Sequence, residues 1–357
     1  MSLLKITSPH AHGPQKTARL MQLVILATLP GFAALSWHFG WGTLINIVIA
    51  STTALSCEAA IMRLRNRPVL FYLKDYSALV TAILLGLALP PLAPWWVVVT
   101  GSAFAIVIAK QLYGGMGYNP FNPAMVGYVV LLISFPVQMT AWPAPAALLP
   151  EGTITPGLWQ SLQIVFPFLG DSTIDAFTAA TPLEVLKHNS GLLVEQLYQT
   201  EPVFIAGEYA GAGWEWVNLC FLAGGIFLLY NRVFTWHAPV SMLVSLSLIS
   251  ALFYDGGSSS SHGSPPFHLL SGATMLGAFF IVTDPVSSAT SKLGKMIYGA
   301  LTGLLVFLIR SWGSYPDAVA FAVLLMNFAA PLIDNYTLPR TYGHQQRRKA
   351  TEKPDAD

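Results

Sequence analysis

Charged residues are scarce in this chain of 357 residues: only 10% are Asp, Glu, Lys or Arg, whereas 54% are hydrophobic. Soluble domains carry about 25% charged residues, so this chain has too few charges to cover a water-soluble globule of its size. A lipid bilayer covers apolar surface without polar groups. The composition therefore excludes a soluble protein and predicts an all-α polytopic membrane protein. A net charge of only +1 gives no reason to expect a nucleic-acid partner.

Cysteine is also scarce, and this limits the metal chemistry. Cys57 and Cys220 lie in separate apolar segments, so no CxxC pair or four-thiolate set is available for zinc or an iron–sulfur cluster. The eight histidines include no HxxxH or HExxH spacing. We expect no metal site in the chain. Because a GxGxxG nicotinamide fingerprint is also missing, we expect no catalytic residues in this chain alone.

The sequence contains ten apolar segments whose lengths are close to that of a membrane-spanning helix. The third is short and runs into LPPLAP, and the eighth is rich in small residues and ends at Asp284-Pro285. Interrupted spans of this kind are where transporters place their binding sites. The ten predicted segments are 20–37, 43–62, 77–92, 95–112, 124–141, 214–230, 238–254, 267–283, 293–311 and 316–333.

The basic residues divide unevenly between the two sides of these segments. Sixteen of the 18 Lys and Arg residues fall on one side, and only Lys187 and Arg310 fall on the other. Basic residues mark the cytoplasmic side of membrane proteins, so both termini are predicted to be cytoplasmic. The first apolar run lacks a small-residue cleavage site, and we predict a retained helix there rather than a signal peptide.

The long loop over 142–213 is therefore predicted to lie outside the cytoplasm. It carries eight acidic residues, counting Glu215 at its edge, against a single Lys, and it is far longer than an ordinary connection between helices. Five segments precede it and five follow, so two homologous halves would have opposite orientations, as in inverted-repeat transporters. The predicted divisions are a cytoplasmic tail (1–19), a first membrane repeat (20–141), the loop (142–213), a second membrane repeat (214–335) and a basic cytoplasmic tail (336–357).

The most informative part of the loop is DSTIDAFTAATPLEVLKH, residues 171–188. Thr181, Pro182 and Glu184 form the pattern of a capping box with proline at the first helical position. On this local pattern alone, the segment is predicted to contain a helix that begins in a surface loop.

The stretch from Asp175 to Thr181 also resembles the Asp-x-x-Ser/Thr-x-Ala-Thr acceptor motif of flavin transferases. These enzymes attach FMN, taken from FAD, through its phosphate to the hydroxyl of the final Thr. The resemblance implies covalent FMN on Thr181, with Asp175, Thr178 and Ala180 forming the motif that the transferase recognises. A helix N-terminus favours the added phosphate, and the predicted side of the loop is the side on which such a transfer takes place.

A second stretch, SGAT at 271–274, is superficially similar to the same motif. However, His268 occupies the position that should hold Asp, and the four residues begin an apolar segment. Small residues there are typical of helix packing in membranes. The predicted flavin acceptor is therefore Thr181 and not Thr274.

Four stretches together resemble a known family: GGMGYNPFNPA at 114–124, DAFTAATPL at 175–183, SGATMLGAFFIVTDPVSSAT at 271–290 and FAAPLIDN at 328–335. They are similar to the D subunits of Rnf ion-translocating oxidoreductase complexes, which are related to the B subunit of sodium-pumping NADH:quinone reductases. The resemblance covers about 20–340, with one departure at Ala179, where Gly is common. It implies a subunit of a six-protein complex in the bacterial inner membrane, with its flavin loop in the periplasm, that relays electrons through covalent FMN and couples them to Na⁺ or H⁺ translocation.

The resemblance also implies further site residues. Asn119 and Asn122 would contact a second, noncovalent flavin, which is riboflavin in some relatives; the alternative is that these Asn-Pro pairs form turns. Asp284 and Asp334 match acidic positions in the sodium-pumping relative and would line an ion pathway, and Glu58 is a third candidate. The alternative for the two aspartates is that they cap helix ends or face water.

Two other function classes stay open. A non-redox secondary transporter or channel would bind a small polar solute at the interrupted helices and would carry no covalent chromophore. A passive assembly scaffold would leave electron transfer intact when Thr181 is changed. In the redox interpretation, the whole complex performs the catalysis, and the partners of this chain are the other subunits, membrane lipid and, during maturation, the flavin transferase.

Overall fold

A computed structural model describes residues 17–149, 155–170, 177–189, 191–259 and 261–337. Within these ranges every regular element is a helix, and the only β-type pairing is an isolated antiparallel bridge between Pro143 and Thr178. The prediction of an all-α protein is confirmed for this part of the chain. The two predicted tails lie almost entirely outside the described residues.

The helices follow the predicted apolar segments, with short helices in the connections. Before the loop they are α1 (Thr17–Phe39), α2 (Gly42–Leu64), α3 (Val69–Leu73), α4 (Ser77–Ala88), α5 (Trp95–Phe104) with a π-helical turn (Ala105–Gln111), α6 (Pro123–Ser134) and α7 (Pro136–Thr140). In the loop they are the 3₁₀ turn Ala146–Leu148, α8 (Leu158–Val165), the 3₁₀ turn Pro167–Leu169, α9 (Pro182–Lys187), α10 (Val194–Thr200) and α11 (Pro202–Ile205). After the loop they are α12 (Trp214–Tyr230), α13 (His237–Leu252), α14 (Pro265–Leu270), α15 (Thr274–Leu276) with a π-helical turn (Gly277–Ile281), α16 (Lys292–Trp312) and α17 (Val319–Thr337).

Four of these helices, α1, α2, α16 and α17, are each long and apolar enough to cross a membrane. Five shorter apolar helices accompany them: α4, α5 with its π-helical turn, α6, α12 and α13. The broken run from α14 through α15 to its π-helical turn occupies the position of the remaining predicted segment. A bundle made of such helices is a polytopic membrane protein, as the composition predicted.

The helix bounds differ from the predicted segments mainly where the chain is interrupted. α4 ends at Ala88, just before Pro90 and Pro91, because proline has no N–H to continue the helical hydrogen bonds. The eighth segment was predicted over 267–283 as an interrupted span. It is broken between α14 and α15, where Gly272 adopts a φ of +57°, a left-handed conformation that only glycine adopts readily.

The helices of the two halves pack in corresponding pairs. α2 packs on α4 and α5, and α13 packs on α14 and α16. In the same way α5 packs on α6, and α16 packs on α17. The halves are joined by α1 against α12 and by α6 against α17. This matching set of contacts is what two homologous halves would give, and their opposite orientation stays a prediction from the count of segments.

The helix bundle has two faces. We call the loop face the end that holds Gly40, Trp95 and the helices α8 and α9. We call the tail face the opposite end, which holds Thr17, Lys110 and Thr337, where α1 begins and α17 ends.

A glycine allows the two halves to approach closely at the contact between α1 and α12. A Cβ built on Gly224 would lie 2.1 Å from the carbonyl oxygen of Ala27, and small residues at such crossings are typical of membrane helices. We expect Gly224→Ala to lower the free energy of unfolding by about 1–3 kcal/mol, since the helices must move apart. Thermal unfolding in detergent would measure this. Gly157→Ala is the control, because a Cβ there meets no atom within 4 Å; equal unfolding midpoints for the two variants would contradict the prediction.

Candidate functional site

Thr181 lies on the loop face as the N-cap residue of α9. Its backbone N–H donates to Oε2 of Glu184 at 3.0 Å, and its Oγ1 accepts a hydrogen bond from the N–H of Glu184 at 3.3 Å. The predicted capping box with Pro182 at the first helical position is therefore confirmed. Thr181 is half-buried, and its hydroxyl lies at the start of a helix in the loop.

The residues before Thr181 run alongside the chain that leaves α7. The N–H of Ala144 donates to the carbonyl of Phe177 at 2.6 Å, and the N–H of Ala179 donates to the carbonyl of Trp142 at 3.0 Å. Ala180 is exposed. Thr178 forms the isolated bridge with Pro143, in the stretch that follows α7. The acceptor segment is thus held by backbone hydrogen bonds, while Asp175 lies outside the described residues.

A cavity of about 80 Å³, which we call the loop-face cavity, lies beside Thr181 and Glu184. Its walls come from both halves of the bundle. The rings of Trp142 and Trp214, whose centroids are 5.0 Å apart, form one part of the wall, and Asp317 contributes a carboxylate. Thr181, the predicted acceptor, therefore borders a mostly apolar cavity with an aromatic wall.

Several contacts fasten the helix that carries Thr181 to the membrane bundle. A Cβ built on Gly272 would lie 2.7 Å from Cδ1 of Leu183, so α9 packs directly on the break between α14 and α15. At the other end of α9, Nζ of Lys187 donates to the carbonyl of Tyr315 at 2.6 Å. Partial burial lowers the pKa of the Lys187 ammonium, because the charged form loses hydration.

An ion pair between the buried Arg310 and the partly exposed Asp317 supports the break on which α9 packs. Arg310, which is buried, donates to the carbonyl of His268 at 2.9 Å, to the carbonyl of Ser271 at 3.3 Å and to Oδ1 of Asp317 at 3.2 Å. Oδ2 of Asp317 accepts from the N–H of Ala273 at 3.0 Å. The guanidinium and the carboxylate therefore hold both sides of the interrupted eighth segment.

Thr274, the competing acceptor, is inside this network. Its side chain is 0% exposed, and its Oγ1 lies 2.8 Å from the carbonyl of His268 and accepts from the guanidinium of Arg310 at 2.9 Å. A transferase cannot reach a hydroxyl in that position without opening the bundle.

On the opposite side, a cavity of about 370 Å³ lies between the two halves, and we call it the tail-face cavity. Asn119, Asn122 and Asp284 all line it. Nδ2 of Asn122 donates to Oδ2 of Asp284 at 3.4 Å, which joins the two halves across the cavity wall. The volume lies within the range of about 300–1,000 Å³ that is usual for small-molecule sites.

The two predicted ion-pathway aspartates differ in position. Asp284 accepts from the N–H of Val286 at 3.2 Å and from Oγ of Ser287 at 2.7 Å, so its carboxylate organises the turn after the eighth segment. Asp334, on α17, accepts from the N–H of Thr290 at 2.8 Å and does not line the cavity. The structure thus brings Asn119, Asn122 and Asp284 together and leaves Asp334 outside that group.

A second ion pair borders the tail-face cavity. Nζ of Lys110 donates to Oε1 of Glu58 at 2.6 Å and to Oγ of Ser77 at 2.7 Å. Nε2 of Gln111 donates to the same oxygen of Glu58 at 2.7 Å. The sequence indicated Glu58 as a candidate for the ion pathway. In that analysis Lys110 and Arg310 served only to assign the two sides of the membrane. Lys110 and Arg310 lie within or at the end of apolar segments. This position could have marked them as candidates, because ionisable groups in a membrane usually have a partner or a function.

Interrupted helices, with a cavity and an ion pair at each face of the described bundle, place this chain in the class of multi-pass membrane proteins. The sequence profile of the NQR2, RnfD, RnfE family matches residues 5–343. The chain therefore belongs to this family.

Relatives of known name are similar over nearly the whole chain. A Cellvibrio japonicus protein, named as the D subunit of an ion-translocating oxidoreductase complex, is 60% identical over 99% of this chain and 98% of its own length. Proteins of the same name from Ectopseudomonas mendocina and Escherichia fergusonii are 57% and 54% identical, over 97% and 95% of this chain and 97% and 98% of their own lengths.

Proposed function

We propose that this chain is the D subunit of an ion-translocating oxidoreductase complex in the bacterial inner membrane. FMN attached to Thr181 relays electrons, and electron transfer is coupled to translocation of Na⁺ or H⁺. The observation that carries the proposal is the placement of Thr181 at the end of the acceptor motif, half-buried on the loop face, whereas Thr274 is fully buried. The shared name of relatives that are 54–60% identical supports membership of such a complex.

The residues around Thr181 fit a covalently attached flavin. Its Oγ1 is the only atom of the side chain that can form the phosphoester, and the small, exposed Ala180 beside it leaves room for the transferase. When bound, the flavin supplies one- and two-electron redox chemistry.

The remaining parts of the proposal concern sides and partners. The distribution of basic residues supports cytoplasmic termini and a periplasmic loop face. Arg310, one of the two basic residues that would lie on the periplasmic side, is buried in its pair with Asp317, so it carries little weight against this orientation. The partners are the other subunits of a six-protein assembly and, during maturation, a flavin transferase.

The tail-face cavity is the proposed place of a second flavin and of ion entry. Riboflavin would bind near Asn119 and Asn122, and the cavity volume supports a ligand of that size. Asp284, in the same wall, is the proposed carboxylate of the ion pathway, with Asp334 at its edge.

We expect the chain, co-expressed with a flavin transferase and Mg²⁺, to give a fluorescent band on a denaturing gel. Mass spectrometry of the peptide over 171–188 should show the added mass of one FMN. Thr181→Val should abolish both signals, because no hydroxyl remains to form the phosphoester.

Thr274→Val is the matched control, since it removes the hydroxyl of the competing SGAT stretch. It should keep the band and the modified peptide. A colourless parent protein after co-expression, or a modified peptide that contains Thr274, would overturn the assignment, and the colourless result would favour a non-redox transporter.

Ion coupling is tested with the purified complex in vesicles, by counting ions moved for each electron transferred. We expect Asp284→Asn to lower this ratio several-fold, because the amide keeps the shape but loses the charge, and Asp334→Asn to lower it less. Glu195→Gln, an exposed change on α10, is the control. An unchanged ratio with intact electron transfer would remove the altered aspartate from the pathway.

A further inference from the structure

The segment 155–170 of the loop has an unusual surface. It contains no Asp, Glu, Lys or Arg, and every exposed residue in it is apolar. The largest of these side chains are Trp159, which is 65% exposed, and Phe168, which is 73% exposed. A helix that faces water has polar residues on its outer side, so water is not the natural neighbour of this surface. The exposed residues are Gly157, Leu158, Trp159, Pro167, Phe168 and Leu169.

The segment lies across the ends of two membrane helices on the loop face. At its start, the carbonyl of Pro156 lies 3.1 Å from a Cβ built on Gly40, in the turn between α1 and α2. At its end, the ring of Phe166 stacks on the ring of Trp95, the first residue of α5, with centroids 6.4 Å apart. α8 is thus held at the level where membrane helices begin and end.

Aromatic residues continue this surface onto the bundle itself. Trp41, next to the turn between α1 and α2, is 48% exposed, and Trp95 is 37% exposed. Tryptophan at helix ends is typical of the boundary between lipid and water. The apolar outer side of α8 is therefore continuous with the exposed aromatic surface of the bundle. The segment 155–170 contributes no charged residue that would interrupt this surface.

The inner side of the segment contacts the stretch before the acceptor threonine. Ile164 of α8 is buried in one cluster with Leu92 and Phe177. Phe177 begins the described stretch that leads to Thr181, and its carbonyl accepts from Ala144. The position of α8 therefore bears on the position of the acceptor segment.

We propose that the segment 155–170 is an interfacial anchor that inserts Leu158, Trp159, Phe168 and Leu169 into the outer edge of the bilayer. The occupant of this face is lipid, at the boundary of headgroups and acyl chains, as for other amphipathic helices with Trp, Phe and Leu on one side. A protein partner is less suited, because a protein interface has a polar rim and this face has no exposed polar residue. The anchor holds the flavin loop in the plane of the membrane surface, and it does not depend on whether Thr181 carries a flavin.

The test uses the full chain with Cys57 and Cys220 changed to Ala and one new cysteine, in Trp159→Cys or Phe168→Cys. Each variant is labelled with an environment-sensitive fluorophore and placed in vesicles of phosphatidylcholine and phosphatidylglycerol. Gln199→Cys, an exposed position on α10 of the same loop, is the matched control. Quenching of the fluorophore by iodide in the water is compared with quenching by lipids that carry a spin label near the headgroup. The spin label then lies at the depth of about 5–10 Å to which interfacial helices insert.

We expect the lipid-borne quencher to act several-fold more strongly than iodide at 159 and 168, and the reverse at 199. Iodide quenching at 159 and 168 equal to that at 199 would overturn the proposal. The same measurement on the assembled complex tests whether a protein, rather than lipid, covers this face. If both quenchers lose access to 159 and 168 there, the face is covered by a neighbouring protein of the complex, and the assignment to lipid is wrong.

Discussion

We expect Lys110→Met to lower the free energy of unfolding by about 3–5 kcal/mol, the usual cost of removing one partner of a buried ion pair. Lys110 and Glu58 are both buried, and Nζ of Lys110 also donates to Ser77. Without the ammonium, the carboxylate of Glu58 keeps only the hydrogen bond from Gln111. Thermal unfolding of the detergent-solubilised chain, followed by tryptophan fluorescence, would show the loss as a lower midpoint.

The double variant Glu58→Gln, Lys110→Met distinguishes a lost charge partner from lost packing. It leaves no unpaired charge in the bundle, so its midpoint should lie well above that of Lys110→Met alone. Lys292→Met, at an exposed position on α16, should change little. If Lys110→Met were as mild as Lys292→Met, the ion pair would not stabilise the tail face.

Arg310→Met should also lower the free energy of unfolding, by about 1–3 kcal/mol, because buried acceptors lose their donor while the carboxylate of Asp317 stays partly exposed. The carbonyls of His268 and Ser271 and the carboxylate of Asp317 would each lose a donor. These groups support the break that carries Leu183, so α9 should loosen as well as the bundle. Unfolding midpoints report the first effect, and hydrogen exchange of the peptide over 177–189 reports the second.

Arg310→Lys is the informative comparison, since lysine keeps the charge but not the planar fork of donors. We expect a midpoint between the parent and Arg310→Met. Arg63→Met, at an exposed site on α2, controls for the loss of a positive charge. Equal exchange at 177–189 in the parent and in Arg310→Met would show that the ion pair does not act on the acceptor segment.

The elements that the sequence predicted are those with a local pattern. Apolar runs marked the helices of the bundle, because a bilayer requires continuous apolar length. The capping box of Thr181, Pro182 and Glu184 was also readable, since its hydrogen bonds join residues three positions apart. The choice of Thr181 over Thr274 came from the motif, and the burial of Thr274 supports it.

The contacts that the sequence did not predict join distant parts of the chain. Lys110 and Glu58 are 52 positions apart, and Asn122 and Asp284 are 162 apart. No local pattern specifies such partners, because they meet only when whole helices pack. The interruption of the eighth segment was predicted, but the side chains that stabilise its glycine-centred turn were not, because Arg310 and Asp317 come from distant parts of the chain.

Gly272 has a consequence for how this protein can vary in evolution. A side chain there would meet Cδ1 of Leu183 at 2.7 Å and the carboxylate of Asp317 at 3.1 Å, on a backbone that L residues rarely adopt. A change at Gly272 would therefore require shifts or matching changes in Leu183, Arg310 and Asp317. Gly272 is thus a position at which substitutions in the membrane bundle and in α9 constrain each other.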